Sequence, residues 1–207
     1  MYAILTQLQR DHLHLDTLLS CLQDHILRSM QSASEEPINF YLIVDIIDYL
    51  QVYPEKWHHP IEQAVYQKLL ERTDNETRNT IVALIEEHDL QNNSTKALRH
   101  RVLENFKQTQ SLTQQDSLLL LQYIERQIIH IQVEERSIFP IVKNTLSPQD
   151  WEEINRFILQ ADDHGITDAA IRKEYDNLYH NITDFHPICS NKGDHTKRCN
   201  PFSAATR

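Results

Sequence analysis

Glycine is nearly absent from this chain, and long apolar runs are missing altogether. The 207 residues include only 2 glycines and 7 prolines. Residues that break helices are therefore rare, and long helices are expected. A membrane-spanning helix needs about 18 or more consecutive apolar residues, and the sequence has no such run. The length suits one ordinary domain with a substantial core.

Basic residues are also in short supply. The sequence has 20 Lys and Arg against 30 Asp and Glu, which gives a formal charge of −10. An acidic surface disfavours nucleic acid and anionic membranes, because both select basic patches. Charged and polar residues interrupt the first turns of the chain, so no signal peptide is indicated. We therefore expect a cytoplasmic protein that binds neither nucleic acid nor membrane.

Cysteines are few and widely separated. The 3 cysteines, Cys21, Cys189 and Cys199, suggest no disulfide framework. Two of them, with His186 and His195, fall in a stretch predicted to be a flexible polar tail over residues 185–207. These are zinc-ligand residue types, but their spacing matches no compact zinc knuckle.

Apolar residues recur at intervals of three and four over four long stretches, about residues 2–30, 37–72, 75–108 and 114–146. This period predicts amphipathic helices joined by short turns, and hence an all-α, antiparallel up-and-down four-helix bundle. Pro54 and Pro60 predict a kink or short break in the second helix, and Phe139-Pro140 predicts another in the fourth. The predicted domains are the bundle over 1–146, a C-terminal helical extension packed on it over 147–184, and the tail.

Histidine is the abundant residue, with 12 copies. Titratable side chains lie on the apolar stripe of every predicted bundle helix: His12, His58, Glu62, His88, His130 and Glu134. Each His–Glu pair is four residues apart, which places both side chains on one helix face. A core glutamate is costly unless it is paired or bound to a cation. Any one histidine is explained by a bond to a backbone carbonyl, but the whole set favours a shared metal site.

Other titratable residues are expected outside this set. His14 should face outward, His25 lies off the stripe, and His100 should be a solvated surface residue. His59 should lie at the edge of the stripe of the second helix. Glu135 should point away from Glu134, because it is the next residue on a regular helix.

Four imidazoles and two carboxylates suit Fe, Mn or Zn better than Ca or Mg, which prefer all-oxygen shells. The set is too large for one tetrahedral zinc. It suits two ions, each with two histidines, bridged by both carboxylates. With an added oxo or hydroxo bridge, each ion keeps an open position for a small ligand such as O2, NO or peroxide.

Several local strings resemble the hemerythrin-like, or HHE cation-binding, family. They are Asp11-His12, Tyr53-Pro54 through His58-His59-Pro60-Ile61-Glu62, Glu87-His88, and His130 through Glu135 with Phe139-Pro140. The resemblance covers about residues 1–145. It implies two Fe ions, one held by His12 and His58 and the other by His88 and His130, with Glu62 and Glu134 bridging. Ferritin-like bundles differ, since they use Glu-x-x-His.

The pattern departs from that of the oxygen-carrying hemerythrins in two places. Asn92 stands where those proteins have a second histidine, and Glu134 is four rather than five residues after its histidine. The chain is more similar to relatives with four histidines and two carboxylates, which include iron–sulfur cluster repair proteins and iron- or oxygen-sensing domains.

This resemblance implies a non-haem di-iron protein that binds or reacts with O2, NO or peroxide in stress response, sensing or iron handling. An oxygen carrier or iron-storage protein without turnover is the alternative. An oxidoreductase with an organic substrate, which no cofactor fingerprint supports, and a metal-free helical interaction protein also stay open. The sequence does not decide whether the chain is an enzyme.

Overall fold

The computed structural model describes residues 3–30, 39–109, 112–161 and 169–185. Every secondary-structure element in these ranges is helical, which confirms the all-α prediction. The elements are α1 (Ala3–Ser29), α2 (Phe40–Tyr53), a first π-helical segment (Pro54–His58), α3 (His59–Leu70), α4 (Asn75–Thr109), α5 (Gln114–Val133), a second π-helical segment (Glu134–Ile138), α6 (Phe139–Thr145), α7 (Pro148–Ala161) and α8 (Ala169–Phe185). None of the helices in the described ranges is long and apolar enough to cross a membrane.

Two of the long bundle helices are built from two parts with a π-helical segment between them. Each π-helical segment ends just before a residue followed by proline, Pro60 in one case and Pro140 in the other. Proline lacks an N–H and its ring crowds the carbonyl four residues earlier. The N–H of His59 therefore bonds the carbonyl of Pro54, and that of Phe139 bonds the carbonyl of Glu134, each five residues back. The predicted interruptions are confirmed at both places.

The apolar core forms two clusters, and the inward histidines lie between them along every bundle helix. The first core cluster includes Leu15, Trp57, Leu98 and Ile124, and the second includes Leu8, Val65, Leu84 and Phe139. The α1 and α4 helices run from the second cluster to the first, whereas α2–α3 and α5–α6 run from the first to the second. This alternation confirms the antiparallel up-and-down bundle, and it places the histidines at one level.

The two C-terminal helices pack on the bundle. The α7 helix packs against α3 and adds Trp151 and Ile154 to the second core cluster. The α8 helix packs against α2 and α1, and its Ile182 joins the first core cluster. The predicted tail over 185–207 lies outside the described residues, except for Phe185, which ends α8. The division into domains stays a prediction.

One prediction about α1 is wrong, and two further residues of α1 make contacts that the sequence did not predict. His14 is half-buried rather than outward, because its ring stacks on Tyr179 of α8 with centroids 4.1 Å apart. His25 is buried, and its Nε2 accepts a hydrogen bond from the backbone N–H of Asn39 at 2.9 Å. Cys21 is disulfide-bonded. A single-helix projection misses such contacts, because it shows neither the neighbouring segments nor the helix that covers a second face.

Candidate metal centre

The four inward histidines come together as two pairs. Nε2 of His12 on α1 lies 3.0 Å from Nε2 of His58, the last residue of the first π-helical segment. Nε2 of His88 on α4 lies 3.1 Å from Nε2 of His130 on α5. All four side chains are buried. The fold therefore brings the four histidines predicted from the sequence to one place. In each pair, two ring nitrogen atoms face each other.

Two fully buried carboxylates lie between these pairs. Glu62 is 3.6 Å from Nε2 of His58 and 3.4 Å from Nε2 of His88, so it reaches one histidine of each pair. Glu134 is 3.3 Å from Nε2 of His12 and 3.1 Å from Nε2 of His130. Each glutamate therefore spans the gap between the two histidine pairs.

The local helix geometry explains this convergence. His58 ends the first π-helical segment, and Glu62 follows it in the first turn of α3. Glu134 begins the second π-helical segment, and His130 precedes it in the last turn of α5. Single π-helical turns inside α-helices occur frequently at functional sites. Here each one widens the helix beside a His–Glu pair.

Outside the six groups, three further carboxylates approach the remote nitrogen atoms of the histidines. Glu135 lies 2.9 Å from Nδ1 of His12, and Glu87 lies 2.8 Å from Nδ1 of His130. Asp11 lies 3.5 Å from Nδ1 of His58. All three residues lie within the sequence motifs, but no role was predicted for them. The signal in the sequence is adjacency, since each of the three directly adjoins one of the six inward residues. The histidine that each one contacts lies on a neighbouring helix, which the sequence does not show.

Asp11 is itself held in place by two donors. The hydroxyl of Tyr53 donates to Oδ1 at 2.8 Å, and Nε2 of Gln7 donates to the same oxygen at 2.6 Å. Tyr66 plays the same part for Glu134, since its hydroxyl donates to Oε1 at 2.9 Å. Hydrogen bonds of this kind fix the orientation of carboxylates in a metal site.

His59 contacts the site differently. Its ring stacks on His88, with centroids 3.9 Å apart and the planes within 6° of parallel. It was expected at the edge of the apolar stripe, and this contact places it directly against one of the inward histidines. Nδ1 of His88 is buried and has no hydrogen-bond partner among the residues that the structure describes.

The donor set fits metal ions. Both carboxylate oxygens of Glu62 and Oε2 of Glu134 are buried without a hydrogen-bond partner in the described part of the chain. Orphaned buried carboxylate oxygens are costly unless a cation satisfies them. Two groups have ligand atoms close enough to hold an ion, namely His12, His58, Glu62 and Glu134 in one and His88, His130 and Glu134 in the other.

A comparison with protein-family models bears on the same residues. The model described as "Hemerythrin HHE cation binding domain" matches residues 3–142. The chain belongs to this hemerythrin family. No curated protein and no solved structure matches it. The recognition made from the sequence motifs is confirmed, and metal-cation binding, typically of iron, follows from membership of the family.

The electrostatics of this hemerythrin bundle favour charged pairs at the site. Burial by itself lowers the pKa of His12, but the neighbouring carboxylates of Glu134 and Glu135 outweigh it and raise the pKa from 6.5 to about 10. Burial likewise lowers the pKa of His88, and the neighbouring carboxylates of Glu134 and Glu62 raise it to about 9. Without metal, protons therefore occupy nitrogen atoms that a cation would use.

Glu134 carries the matching negative charge. Burial by itself raises the pKa of its carboxyl group, but the charge of His130 and the adjacent imidazoles of His12 and His88 hold the pKa well below 4.5. Burial and the charges of Glu62 and Glu134 raise the pKa of Tyr66 well above 10. Tyr66 therefore keeps its proton and remains a donor to Glu134.

A small cavity adjoins the hemerythrin site. It has a volume of about 10 Å3 and touches His12, His58, His59, His130 and Glu134. Its other walls are the apolar side chains Leu15, Leu19, Leu50, Pro54 and Ile131, with Gln91 and Gln127 as further polar lining. A volume of this size holds about one water-sized molecule.

Proposed function

We propose that this hemerythrin-family chain is a non-haem di-iron protein. Two histidines hold each ion, and both carboxylates bridge the ions. In full, the ligands are His12 and His58 for one iron, His88 and His130 for the other, and Glu62 and Glu134 for both. The observation that supports this assignment is the placement of two buried carboxylates with orphaned oxygens between two pairs of facing Nε2 atoms.

The proposed activity is to bind or react with a small diatomic molecule or peroxide, in stress response, sensing or iron handling. The iron pair, when bound, supplies a redox-active centre that takes such ligands. The chain contributes the environment. Four buried imidazoles and two buried carboxylates exclude bulk water, and Tyr66 keeps Glu134 oriented through its hydrogen bond. The predicted cytoplasmic location belongs to this proposal.

The cavity beside the site supports a small ligand. Its volume of about 10 Å3 holds about one water-sized molecule, so it suits a very small ligand better than an organic substrate. Its walls combine leucine side chains with two glutamines, so an uncharged diatomic molecule meets an apolar surface while a peroxide finds hydrogen-bond partners. Both kinds of ligand are consistent with the proposed activity.

Metal analysis is the first test. Expression in iron-replete medium should give about two irons per chain, the number that the donor set accommodates. A partly reduced sample should give the electron paramagnetic resonance signature of a coupled mixed-valent pair. One zinc per chain, or no metal, would reject the di-iron proposal.

Anaerobic stopped-flow absorbance then separates reaction from storage or carriage. The reduced protein is mixed with O2, NO or H2O2 in turn. A fast change that does not reverse when the ligand is removed supports reaction. A fully reversible change with O2 alone supports the carrier alternative, and no change with any of the three supports iron storage.

A further inference from the structure

Three aromatic side chains form one contact group beside the metal site. Tyr53 ends α2, Trp57 follows in the first π-helical segment, and Tyr175 lies on α8. The ring centroid of Trp57 is 5.5 Å from that of Tyr53 and 5.2 Å from that of Tyr175. The centroids of the two tyrosine rings are 6.4 Å apart. We call these three residues the aromatic path.

The aromatic path runs from the residues around His58 to solvent. The hydroxyl of Tyr53 donates to Oδ1 of Asp11 at 2.8 Å, and Oδ2 of Asp11 lies 3.5 Å from Nδ1 of His58. Tyr53 is fully buried, and Trp57, which directly precedes His58, is only 1 % exposed. Tyr175 is partly exposed, so a small molecule in solution reaches its ring. Three side chains therefore join the buried site to the surface.

Tyrosine and tryptophan can each lose a single electron, but the proton behaves differently in the two. An oxidised phenol is strongly acidic, so a buried tyrosine is oxidised readily only where its hydroxyl has a proton acceptor. Tyr53 has that acceptor in Asp11. An indole can lose an electron and keep its N–H proton. Nε1 of Trp57 is buried without a hydrogen-bond partner among the described residues, so its oxidised ring keeps the proton.

Two neighbouring tyrosines each lack one requirement for electron transfer to the surface. Tyr49 stacks on Tyr53 with centroids 5.1 Å apart, but its hydroxyl is buried with no hydrogen-bond partner in the described part of the chain. Tyr66 has an acceptor in Glu134, but its ring contacts no other aromatic ring within the described ranges. Oxidation of Tyr49 is therefore disfavoured, and oxidation of Tyr66 leads no further.

We propose that the aromatic path carries single electrons from Tyr175 inward to the metal site when peroxide reaches irons that are already oxidised. This inference rests on the proposed function, since it requires a redox-active site that reacts with peroxide. Oxidising equivalents then leave the site for the surface. Without the aromatic path they would remain beside the buried histidines that hold the metal.

Electrons and protons balance over this reaction. Reduction of one H2O2 breaks the O–O bond and takes up two electrons and two protons to give two waters. Each electron leaves Tyr53 for the site while the hydroxyl proton of Tyr53 moves to Asp11. Trp57 then reduces Tyr53, whose proton returns, and Tyr175 reduces Trp57 and releases its own proton to water. A one-electron reductant in solution, such as ascorbate, restores each oxidised Tyr175, which regains a proton from water.

Radical trapping on the full-length protein tests the aromatic path. The chain is loaded with iron, oxidised in air, freed of excess metal, and mixed with H2O2 and a nitroso spin trap. Electron paramagnetic resonance detects the trapped radical, and peptide mass spectrometry locates it. We expect the adduct on Tyr175, and none in metal-free protein. Tyr41 is 76 % exposed and lies outside the aromatic path, so an adduct chiefly on Tyr41 would indicate attack from solution and overturn the proposal.

Phenylalanine variants test the inner end, because each removes one hydroxyl and keeps the ring. Tyr53→Phe should reduce the adduct on Tyr175 when it is compared at equal iron content. Tyr49→Phe is the matched control, since Tyr49 lies one turn before Tyr53 and stacks on it, and it should leave the adduct unchanged. Undiminished labelling of Tyr175 in iron-loaded Tyr53→Phe, or its loss in Tyr49→Phe, would contradict the proposed path.

Tyr175→Phe tests the outer end at a residue far from the metal ligands in the sequence and partly exposed. It should increase the oxidation of Trp57 that mass spectrometry detects after peroxide treatment, because electrons no longer arrive from the surface. Tyr179→Phe is the control, since Tyr179 is also partly exposed on α8 and its ring does not contact Trp57 in the described residues. Equal oxidation of Trp57 in the two variants would overturn the proposal.

Failure of this inference is distinguishable from failure of the proposed function. A chain that holds two irons and changes its absorbance with peroxide, but gives no adduct on Tyr175, rejects the aromatic path alone. A chain with two irons that reacts with O2 or NO but not with peroxide also rejects only this inference. A chain that never binds two irons rejects the di-iron proposal and the aromatic path together.

Discussion

Glu135 lies 2.9 Å from Nδ1 of His12, although the two residues are 123 positions apart in the chain. The carboxylate belongs to the second π-helical segment and the imidazole to α1, so the contact joins two bundle helices at the metal site. Replacement by Gln removes the charge that supports His12 and keeps the shape of the side chain. We expect Glu135→Gln to weaken metal binding by about 10- to 100-fold in a chelator competition.

Glu125→Gln on α5 is the matched control for that variant. Glu125 is exposed, and the change removes the same charge from α5, the helix that directly precedes the segment with Glu135. It should bind metal as the unchanged protein does. Equal affinities for the two variants would show that Glu135 does not support His12 as a ligand.

The sequence predicted the bundle and the six inward groups because a regular helical period relates the apolar residues to them. His12 and His88 stand on the apolar stripes, and they are buried as expected. The same assumption of a regular period left the contact between Glu135 and His12 unpredicted. A regular helix directs residue 135 away from residue 134, but the π-helical segment that begins at Glu134 changes the rotation per residue. The apolar periodicity of one helix also does not show which residues of the other helices its side chains contact.

Glu62 supplies a second prediction. Its carboxylate is fully buried between His58 and His88, and neither oxygen has a hydrogen-bond partner in the described residues. Glu62→Ala should therefore reduce the metal content well below two ions and also lower the melting temperature of the protein as isolated, because the remaining buried groups lose a shared ligand. Elemental analysis and thermal unfolding measure the two effects.

His100→Ala is the control for Glu62→Ala. His100 is an exposed residue on α4, and its loss should leave metal content and melting temperature nearly unchanged. Retention of two ions by Glu62→Ala, with the stability of the unchanged protein, would contradict the bridging role.

His14 gives a prediction that depends on the C-terminal helix. Its ring stacks on Tyr179 of α8, at 4.1 Å between centroids. Burial lowers the pKa of His14, so the ring is neutral near pH 7. We expect His14→Ala to lower the free energy of unfolding by roughly 1 kcal/mol through the lost aromatic contact. Metal content should not change.

The measurement for His14→Ala is denaturant unfolding together with elemental analysis. Tyr179→Leu should lower stability by a similar amount, because it removes the other half of the same contact. Loss of iron from His14→Ala would show that His14, rather than its neighbour His12, faces the metal centre.

The metal-free protein should lose stability at alkaline pH. Burial lowers the pKa of His12 and His88, but the neighbouring glutamate carboxylates raise the folded-state values to about 10 and about 9. A raised pKa stabilises the fold fully below the unfolded value of 6.5, and this stabilisation is lost as the pH rises through 9 and 10. We therefore expect the unfolding free energy of metal-free protein to fall between about pH 7 and pH 10.

Denaturant unfolding across that pH range tests this expectation, with two comparisons. The iron-loaded protein should show a smaller fall, because metal replaces the protons on these histidines. Metal-free His12→Asn should also show a smaller fall, because one of the two titrating groups is gone, while the tyrosines and lysines that titrate near pH 10 remain. If metal-free His12→Asn and the unchanged chain lost stability in parallel, the charged His12–Glu134 pair would not be the cause.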